Sequence, residues 1–290
     1  MSEVYVLAHR LFGRQAKRIE PYFPELSTEL VKAHLSVTRE KWLAFMLFSG
    51  TLVFIVSFFI GMPFVLLIYG AGLASMLWLF VLCMAFGALA GALVFYYPTI
   101  VASERGKKIE NALAFSTIYM STISKSGFPP QEIFRLLSKF KEYGEIAVES
   151  SLIVRDTEIL GLDLPAAISR AMARSPAPDW TELLAGIKTT MTIGGDLGAF
   201  LEEKSRGFIA DYRRRLQDFS SFLSMLIEIY VTIVIVGAVF FIVTTSIIVA
   251  IGGVSTATIK TLNYAIVLVG IPVLTAAFLL IMKGASPLDN

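Results

Sequence analysis

Few side chains in this sequence are of the types that carry out catalysis or bind metal. Neither of the two histidines, His9 and His34, is flanked by ligand-like partners, so no metal site is predicted. A disulfide within the chain is excluded because Cys83 is the single cysteine, and we interpret it as a small apolar filler. No phosphate-binding loop of the GxxxxGK[ST] type is present. The residue types therefore predict a protein that is not an enzyme and holds no cofactor.

The triplet Gly194-Gly195-Asp196 superficially resembles two catalytic signatures. Nucleotide cyclases carry a similar triplet but need a mixed α/β domain, which the helical pattern of this chain excludes. Intramembrane aspartyl proteases need two acids near the membrane, and the apolar segments here contain only Glu228. We interpret Gly194, Gly195 and Asp196 as a structural turn in which Asp196 caps the following helix.

Several charged residues are candidates for contacts with partners. Glu228 lies at the start of an apolar segment, where a carboxylate is costly unless it faces water or a partner. It is interpreted either as an interfacial residue that reaches water or as a polar contact to another subunit or a transmembrane client. Five basic residues also lie close to apolar segments: Lys107, Lys108, Arg213, Arg214 and Arg215. They indicate either binding of anionic membrane lipid, which also enforces topology, or a docking surface for an acidic protein partner.

Membrane helices must position most of these residues. From Trp42 to Ser103 the chain has 62 consecutive residues without Asp, Glu, Lys, Arg or His, whereas one membrane helix needs about 20 apolar residues. We predict two crossings here, at about 43–68 and 73–97, although the first could end early at Gly61 and Pro63. Gly87 and Gly91 predict a close helix contact, either within this hairpin or at a dimer face.

The whole chain is predicted to be all-α, with four transmembrane helices and a cytoplasmic helical bundle inserted between two membrane hairpins. Mean hydropathy of +0.71 supports an integral membrane protein. The predicted segments are an amphipathic N-terminal segment (1–41), a transmembrane hairpin (42–97), the helical bundle (98–220), a second hairpin (221–282) and a cytoplasmic tail (283–290).

Glycines and prolines divide the polar parts of the chain into helices. In the N-terminal segment we predict an amphipathic helix over 4–19 and a short helix over 28–35 capped by Ser27. The predicted bundle helices cover 99–125, 129–142, 146–160, 164–174 and 179–192, and a last one starts at 197. That last helix has no breaker before residue 251, so one continuous helix could reach from the bundle into the bilayer. A fourth crossing is predicted at about 262–282, with a kink at Pro272.

Lysine and arginine set the predicted orientation. The N-terminal segment and the bundle hold 23 of the 25 Lys and Arg residues. The positive-inside rule therefore places both termini and the bundle in the cytoplasm of a multi-pass protein of the cell membrane. The charge balance is near neutral, at +2, so no nucleic-acid binding is predicted.

Most of the chain resembles the F domain of type II secretion and type IV pilus systems, in its short archaeal or TadC-like form. The matching stretches, in chain order, are AHRLFGRQAKRIEPYFPEL (8–26), IENALAFSTIYMSTISKSGFPPQEIF (109–134), IVRDTEILGLDLPAAI (153–168), IGGDLGAFLEEKSRGFIADYR (193–213) and LIEIYVTIVIVGAVFFIV (226–243). The order and spacing of these five stretches support the resemblance more strongly than any single stretch does.

The resemblance implies an inner-membrane platform protein without enzymatic activity. Such a platform couples a cytoplasmic secretion or assembly ATPase to prepilin-like subunits that enter a filament. Many relatives carry two F domains and this chain has one, which implies a homodimer or a heterodimer with a paralogous platform protein. Two other classes stay open. A four-helix membrane transporter or channel component would show polar residues converging at mid-membrane, and a membrane-bound receptor or enzyme would show exterior loops and catalytic groups.

Overall fold

The computed structural model describes residues 2–35, 37–69, 72–251, 261, 264 and 266–285. Every regular element within these residues is helical. The helices are α1 (Ser2–Ile19), α2 (Leu26–Lys32), α3 (Arg39–Tyr69), α4 (Leu73–Lys125), α5 (Pro130–Leu137), α6 (Glu145–Glu158), α7 (Leu164–Arg174), α8 (Pro178–Ile193), α9 (Leu197–Ile251) and α10 (Ile271–Ala285). Short 3-10 turns occur at Glu20–Tyr22 and Lys141–Tyr143, and a π-helical turn occurs at Ile266–Gly270.

Residues 1–202 form one compact unit and residues 203–290 form another. The segment boundaries predicted after residues 97 and 220 both fall inside helices, α4 and α9. A helix rather than a flexible linker therefore crosses each of these positions, and the division into five segments remains a prediction.

Three of the described helices, α3, α4 and α9, are long and apolar enough to cross a membrane. The fourth predicted crossing falls partly outside the described residues. Within the described part, the π-helical turn ends at Gly270 and α10 begins at Ile271, one residue before Pro272. A helical membrane protein is thus confirmed, and the count of four crossings stays a prediction.

The hairpin of α3 and α4 is held together by a glycine contact. A Cβ atom added to Gly87 would lie 2.9 Å from the carbonyl oxygen of Gly50, so only glycine at this position lets the two backbones approach so closely. The helix contact predicted at Gly87 is therefore formed within the hairpin. The early end of the first crossing was wrong, since α3 continues through Gly61 and Pro63 to Tyr69.

The prediction of separate helices at 73–97 and 99–125 was also wrong. They are one helix, α4, with the buried Pro98 inside it. A proline removes one backbone hydrogen bond, a loss that a long helix tolerates where neighbouring helices or side chains compensate. The helix leaves the apolar hairpin and enters the bundle without a break.

The bundle packs α5, α6, α7 and α8 with the second half of α4. Large side chains fill its core, with Trp180, Phe134 and Ile153 fully buried. The predicted helix at 129–142 is shorter than expected, because α5 ends at Leu137 and the chain continues into the 3-10 turn. Four predicted breakers have φ between 51° and 79°: Gly127, Gly144, Gly161 and Gly194.

The N-terminal helix α1 packs along the start of α3. Its Tyr5 ring lies 4.9 Å from Phe45 and 6.1 Å from Trp42, and Ala8 and Ala16 are fully buried. The predicted Ser27 cap was wrong: α2 begins one residue earlier, after Glu25, and the Ser27 hydroxyl donates instead to the carbonyl of Pro24.

Candidate functional site

A largely buried cluster of acidic and basic side chains joins four parts of the first unit. It links the end of α2, the middle of α4, and helices α6 and α7. We define this buried ion cluster by six residues: His34, Arg105, Glu145, Glu149, Asp156 and Arg174. The side chains of Glu149 and Asp156 are fully buried, and Arg105 and Arg174 are 8% and 12% exposed.

Glu149 of α6 is the centre of the cluster. Its Oε1 atom accepts hydrogen bonds from Arg105 Nη2 at 3.0 Å and from His34 Nε2 at 3.1 Å. Its Oε2 atom accepts from Arg174 Nε at 2.9 Å. One carboxylate thus receives three donors from three different parts of the chain.

The two arginines extend the cluster. Arg105 also binds Glu145 Oε2 through Nε and Nη2, at 2.9 and 2.8 Å, and donates Nη1 to the backbone carbonyl of Lys32 at the end of α2. Arg174 Nη1 binds Asp156 Oδ2 at 3.2 Å. The carbonyl at a helix C-terminus has no partner inside the helix and carries partial negative charge, so a guanidinium stabilises it.

Helical spacing places these charges on otherwise apolar faces. On α6, Glu149 and Asp156 share the buried face of Ile146 and Ile153. Arg105 follows the buried Ala102 by three residues on α4, and Arg174 follows the buried Ala171 by three residues on α7. Residues three, four and seven apart lie on one side of a helix, so each charge is directed into the bundle.

The electrostatic environment keeps Glu149 ionised. Burial raises the pKa of its carboxyl, but hydrogen bonds from His34, Arg174 and Arg105 lower it by more, to about 2. Burial likewise raises the pKa of Asp156, and hydrogen bonds from Arg155 and Arg174 bring it below its usual value. Removing one partner of a buried ion pair leaves the other charge uncompensated and costs about 3–5 kcal/mol.

His34 holds the N-terminal segment to the cluster in an unusual backbone conformation. Its φ is +54°, a left-handed value that is costly for residues other than glycine. The backbone N–H of His34 donates to the carbonyl of Val31 at 3.0 Å, while the imidazole reaches Glu149. The ion pair and this turn together fix the chain where it passes from α2 towards α3.

The arrangement suits a structural joint rather than catalysis. A carboxylate already bound by three cationic or hydrogen-bonding groups is a weak base, and no nucleophile belongs to the cluster. In the described residues no group of three or more His, Cys, Asp or Glu could hold a metal ion. The cluster clamps the N-terminal segment to three helices of the bundle.

The residues predicted to contact partners lie on exposed surfaces in both units. Lys107 and Lys108 are exposed on α4, and Lys108 Nζ lies 2.6 Å from Glu104 Oε1. On α9, in the second unit, Arg213, Arg214 and Arg215 are exposed, and Arg214 pairs with Asp211 at 3.7 Å.

Glu228 is exposed farther along α9, about 21 Å after Arg214 at the usual helical rise. Its carboxylate has no partner in the described part of the chain. Two residues beyond Glu228, the Tyr230 hydroxyl lies 3.1 Å from Thr275 Oγ1 of α10. The contact roles of Glu228 and the basic residues stay predictions.

The turn at Gly194, Gly195 and Asp196 sets the start of α9. Gly194 has a left-handed φ of 76°, and the N–H of Gly195 donates to the carbonyl of Thr190 at 2.9 Å, as in a Schellman ending. Asp196 Oδ1 accepts from the N–H of Ala199 at 3.0 Å, which is the geometry of an N-cap.

Two further contacts hold the first turns of α9 within the first unit. Lys125 Nζ at the end of α4 lies 2.6 Å from Glu202 Oε2. The ring of Phe200 covers Gly186 of α8 so closely that an added Cβ would lie 2.2 Å from it. The start of α9 is therefore anchored to both α4 and α8.

Sequence reasoning missed the buried ion cluster. It treated His34 only as a candidate metal ligand and did not single out Arg105, Glu149, Asp156 or Arg174. A signal was present, because Glu149 and Asp156 interrupt the apolar face of Ile146 and Ile153 at helical spacing. Buried charges of this kind are almost always paired. The partners, which lie up to 115 residues away, could not be identified from one sequence.

These features define a helical membrane protein in which helices of a compact bundle continue into apolar spans. Residues 117–245 match the family model of type II secretion system protein F. The chain therefore carries a domain of the type II secretion system protein F family, as the resemblance implied. The matched range covers the end of α4, all of α5 to α8, and α9 as far as residue 245.

Two uncharacterised proteins of Methanocaldococcus jannaschii are similar to the chain. One is 26% identical over 135 residues, which is 47% of this chain and 23% of the relative. The other is 32% identical over 103 residues, which is 36% of this chain and 30% of the relative. The matches thus span less than a third of the length of either relative. No solved structure gives a significant match.

Proposed function

We propose that this protein is a non-enzymatic membrane platform of a type IV pilus-like or type II secretion-like machine. In this role it couples a cytoplasmic secretion ATPase to prepilin-like subunits that enter a filament. The platform role is supported by the family match over residues 117–245. By the positive-inside rule, the bundle and both termini face the cytoplasm.

The observation that carries the coupling is helix continuity. Both α4 and α9 run unbroken from apolar segments into residues of the bundle. A continuous helix transmits displacement or rotation, whereas a flexible linker absorbs it. The buried ion cluster holds α4 in the bundle, and the contacts at the start of α9 anchor the first turns of that helix in the same unit.

The transporter or channel alternative has less support. Residues 42–103 and 219–251 contain a single residue among Asp, Glu, Lys, Arg and His, which is Glu228. A proton- or ion-coupled pathway needs several polar groups inside the membrane. The most apolar stretch of α9 has no buried residue, which leaves it free for lipid, prepilin-like subunits, a second copy or a paralogous platform.

An insertion experiment tests the coupling. About seven residues, close to two helical turns, are inserted after Asp218 in α9, as a flexible Gly/Ser segment in one variant and as an Ala/Glu/Lys helix in the other. The platform account expects filament assembly or secretion to be lost with the flexible insert and largely kept with the helical one. Equal function of both variants, at equal membrane abundance, would contradict coupling through α9.

A charge-reversal experiment tests the docking surface separately. Arg213→Glu with Arg215→Glu should abolish association with the ATPase, because an acidic partner surface would then be repelled. The matched control reverses two exposed bundle lysines, Lys139→Glu with Lys141→Glu, and should leave association intact. Intact ATPase association and filament assembly in the arginine variant would remove Arg213 and Arg215 from the docking surface.

A further inference from the structure

The C-terminal half of α1 carries a basic surface that the platform role does not explain. Arg10, Arg14, Lys17 and Arg18 are all exposed there. No Asp or Glu occurs from residue 4 to residue 19, and none of the described acidic side chains pairs with these four cations. The next acid, Glu20, pairs with Arg39 at 3.3 Å. Among the described side chains, four positive charges within nine residues are therefore left without an acidic partner.

Aromatic contacts show where this surface lies along the membrane hairpin. Tyr5 of α1 contacts Trp42 and Phe45 of α3, and Phe12 contacts Phe48, with ring centroids 6.5 Å apart. Glu20, directly after α1, pairs with Arg39 at the start of α3. Both ends of α1 therefore lie beside the first turns of α3.

The chain after α1 lies at the same end of the hairpin. Phe23 lies 5.1 Å from Phe95 of α4, two residues before Tyr97, whose ring stacks on Trp42. Tyr22, next to Phe23, is 80% exposed. A tyrosine with an exposed ring at this level is typical of a membrane–water interface.

An uncompensated cation is costly in the hydrocarbon layer of a membrane, so this layer begins beyond the basic surface. Tyr96 and Tyr97 of α4 are 60% and 52% exposed at this end of the hairpin, as is typical of residues at a membrane–water interface.

We propose that Arg14, Lys17 and Arg18 bind the phosphate groups of anionic phospholipids at the membrane surface beside the first turns of α3. The occupant is a lipid headgroup because the site adjoins the membrane span and is strongly basic, and the nearby acid Glu20 is already paired with Arg39. Since α1 is packed on α3 and the cluster holds the end of α2, this lipid contact fixes the depth of the first unit in the membrane.

Lipid titration of the full-length protein in a mild uncharged detergent tests the proposal. The unfolding temperature is followed by intrinsic tryptophan fluorescence while short-chain phosphatidylglycerol, short-chain phosphatidylcholine or inorganic phosphate is added. Phosphatidylglycerol should raise the unfolding temperature at the lowest concentration. In Arg14→Gln with Arg18→Gln the half-saturating concentration should rise several-fold, and Arg14→Lys with Arg18→Lys should largely restore it. The control, Lys139→Gln with Lys141→Gln, should behave as the wild type.

Three results would overturn the site. An equal shift with phosphatidylcholine would mean that acyl chains alone stabilise the protein, and an equal shift with inorganic phosphate would mean a free-anion site. An unchanged titration in the glutamine variant would remove Arg14 and Arg18 from lipid binding. If the glutamine variant does not fold, the wild-type comparison of the two lipids and phosphate still decides the proposal.

Discussion

Replacement of Glu149 by glutamine is the sharpest test of the buried ion cluster. Glutamine has nearly the same shape as glutamate, so Glu149→Gln removes the charge and leaves the packing of α6 almost unchanged. Arg105 and Arg174 then remain nearly buried, each with one ionised acceptor fewer. We expect the bundle to be destabilised and the end of α2 to detach from it.

The expected loss of stability can be calculated from the pKa of the Glu149 carboxyl. A pKa held at about 2 in the folded protein, against 4.5 for the free side chain, corresponds to about 3 kcal/mol of stability at neutral pH. This value agrees with the loss of about 3–5 kcal/mol that is expected when one partner of a buried ion pair is removed. The exposed pair of Glu104 and Lys108 makes a matched control, since water screens an exposed pair and leaves it little net stabilisation.

Hydrogen exchange, resolved by mass spectrometry in mild detergent, measures this loss locally. In Glu149→Gln the opening free energy of α6 and α2 should fall by about 3 kcal/mol, whereas Glu104→Gln should leave it nearly unchanged. If the two variants exchange alike, or if Glu149→Gln stays within about 0.5 kcal/mol of the wild type, the cluster is not the joint described above.

Three further predictions concern pH and close helix contacts. The ionised form of Glu149 is favoured in the folded protein, so the opening free energy of the bundle should be level above about pH 5 and fall as the pH drops from about 4.5 to 2. Glu149→Gln should reduce this fall and leave the part that comes from Asp156, whose pKa is also lowered. Gly186→Ala should displace the Phe200 ring and speed exchange at the start of α9, whereas Gly207→Ala, in open space, should be neutral or stabilising. Gly87→Ala would place a Cβ 2.9 Å from a backbone oxygen of α3, so thermal unfolding of the purified protein should occur at a lower temperature than in the Gly207→Ala control.

Much of the fold could be predicted because its signals are local. The absence of charge between Trp42 and Ser103 indicates membrane helices, and breakers such as Gly127 and Gly161 mark helix ends in the bundle. Local signals also led to a wrong prediction. Separate helices were predicted at 73–97 and 99–125, but the loss of one backbone hydrogen bond at Pro98 does not end a helix that is packed before and after the proline.

The candidate site depended on contacts that no local pattern encodes. Arg105 and Glu149 are 44 residues apart, and His34 meets Glu149 across 115 positions of sequence. The sequence could indicate that a charge lies on an apolar face, but the choice of its partner is made by the packing of α4, α6 and α7.

The central claim is that this protein is a platform joining a cytoplasmic ATPase to filament subunits. Purification of the protein from native membranes in mild detergent, with identification of the proteins that accompany it, tests this claim most directly. The account predicts a secretion ATPase and prepilin-like subunits in the eluate, with the ATPase depleted in the Arg213→Glu, Arg215→Glu variant. Recovery of abundant, folded protein without either partner would contradict it.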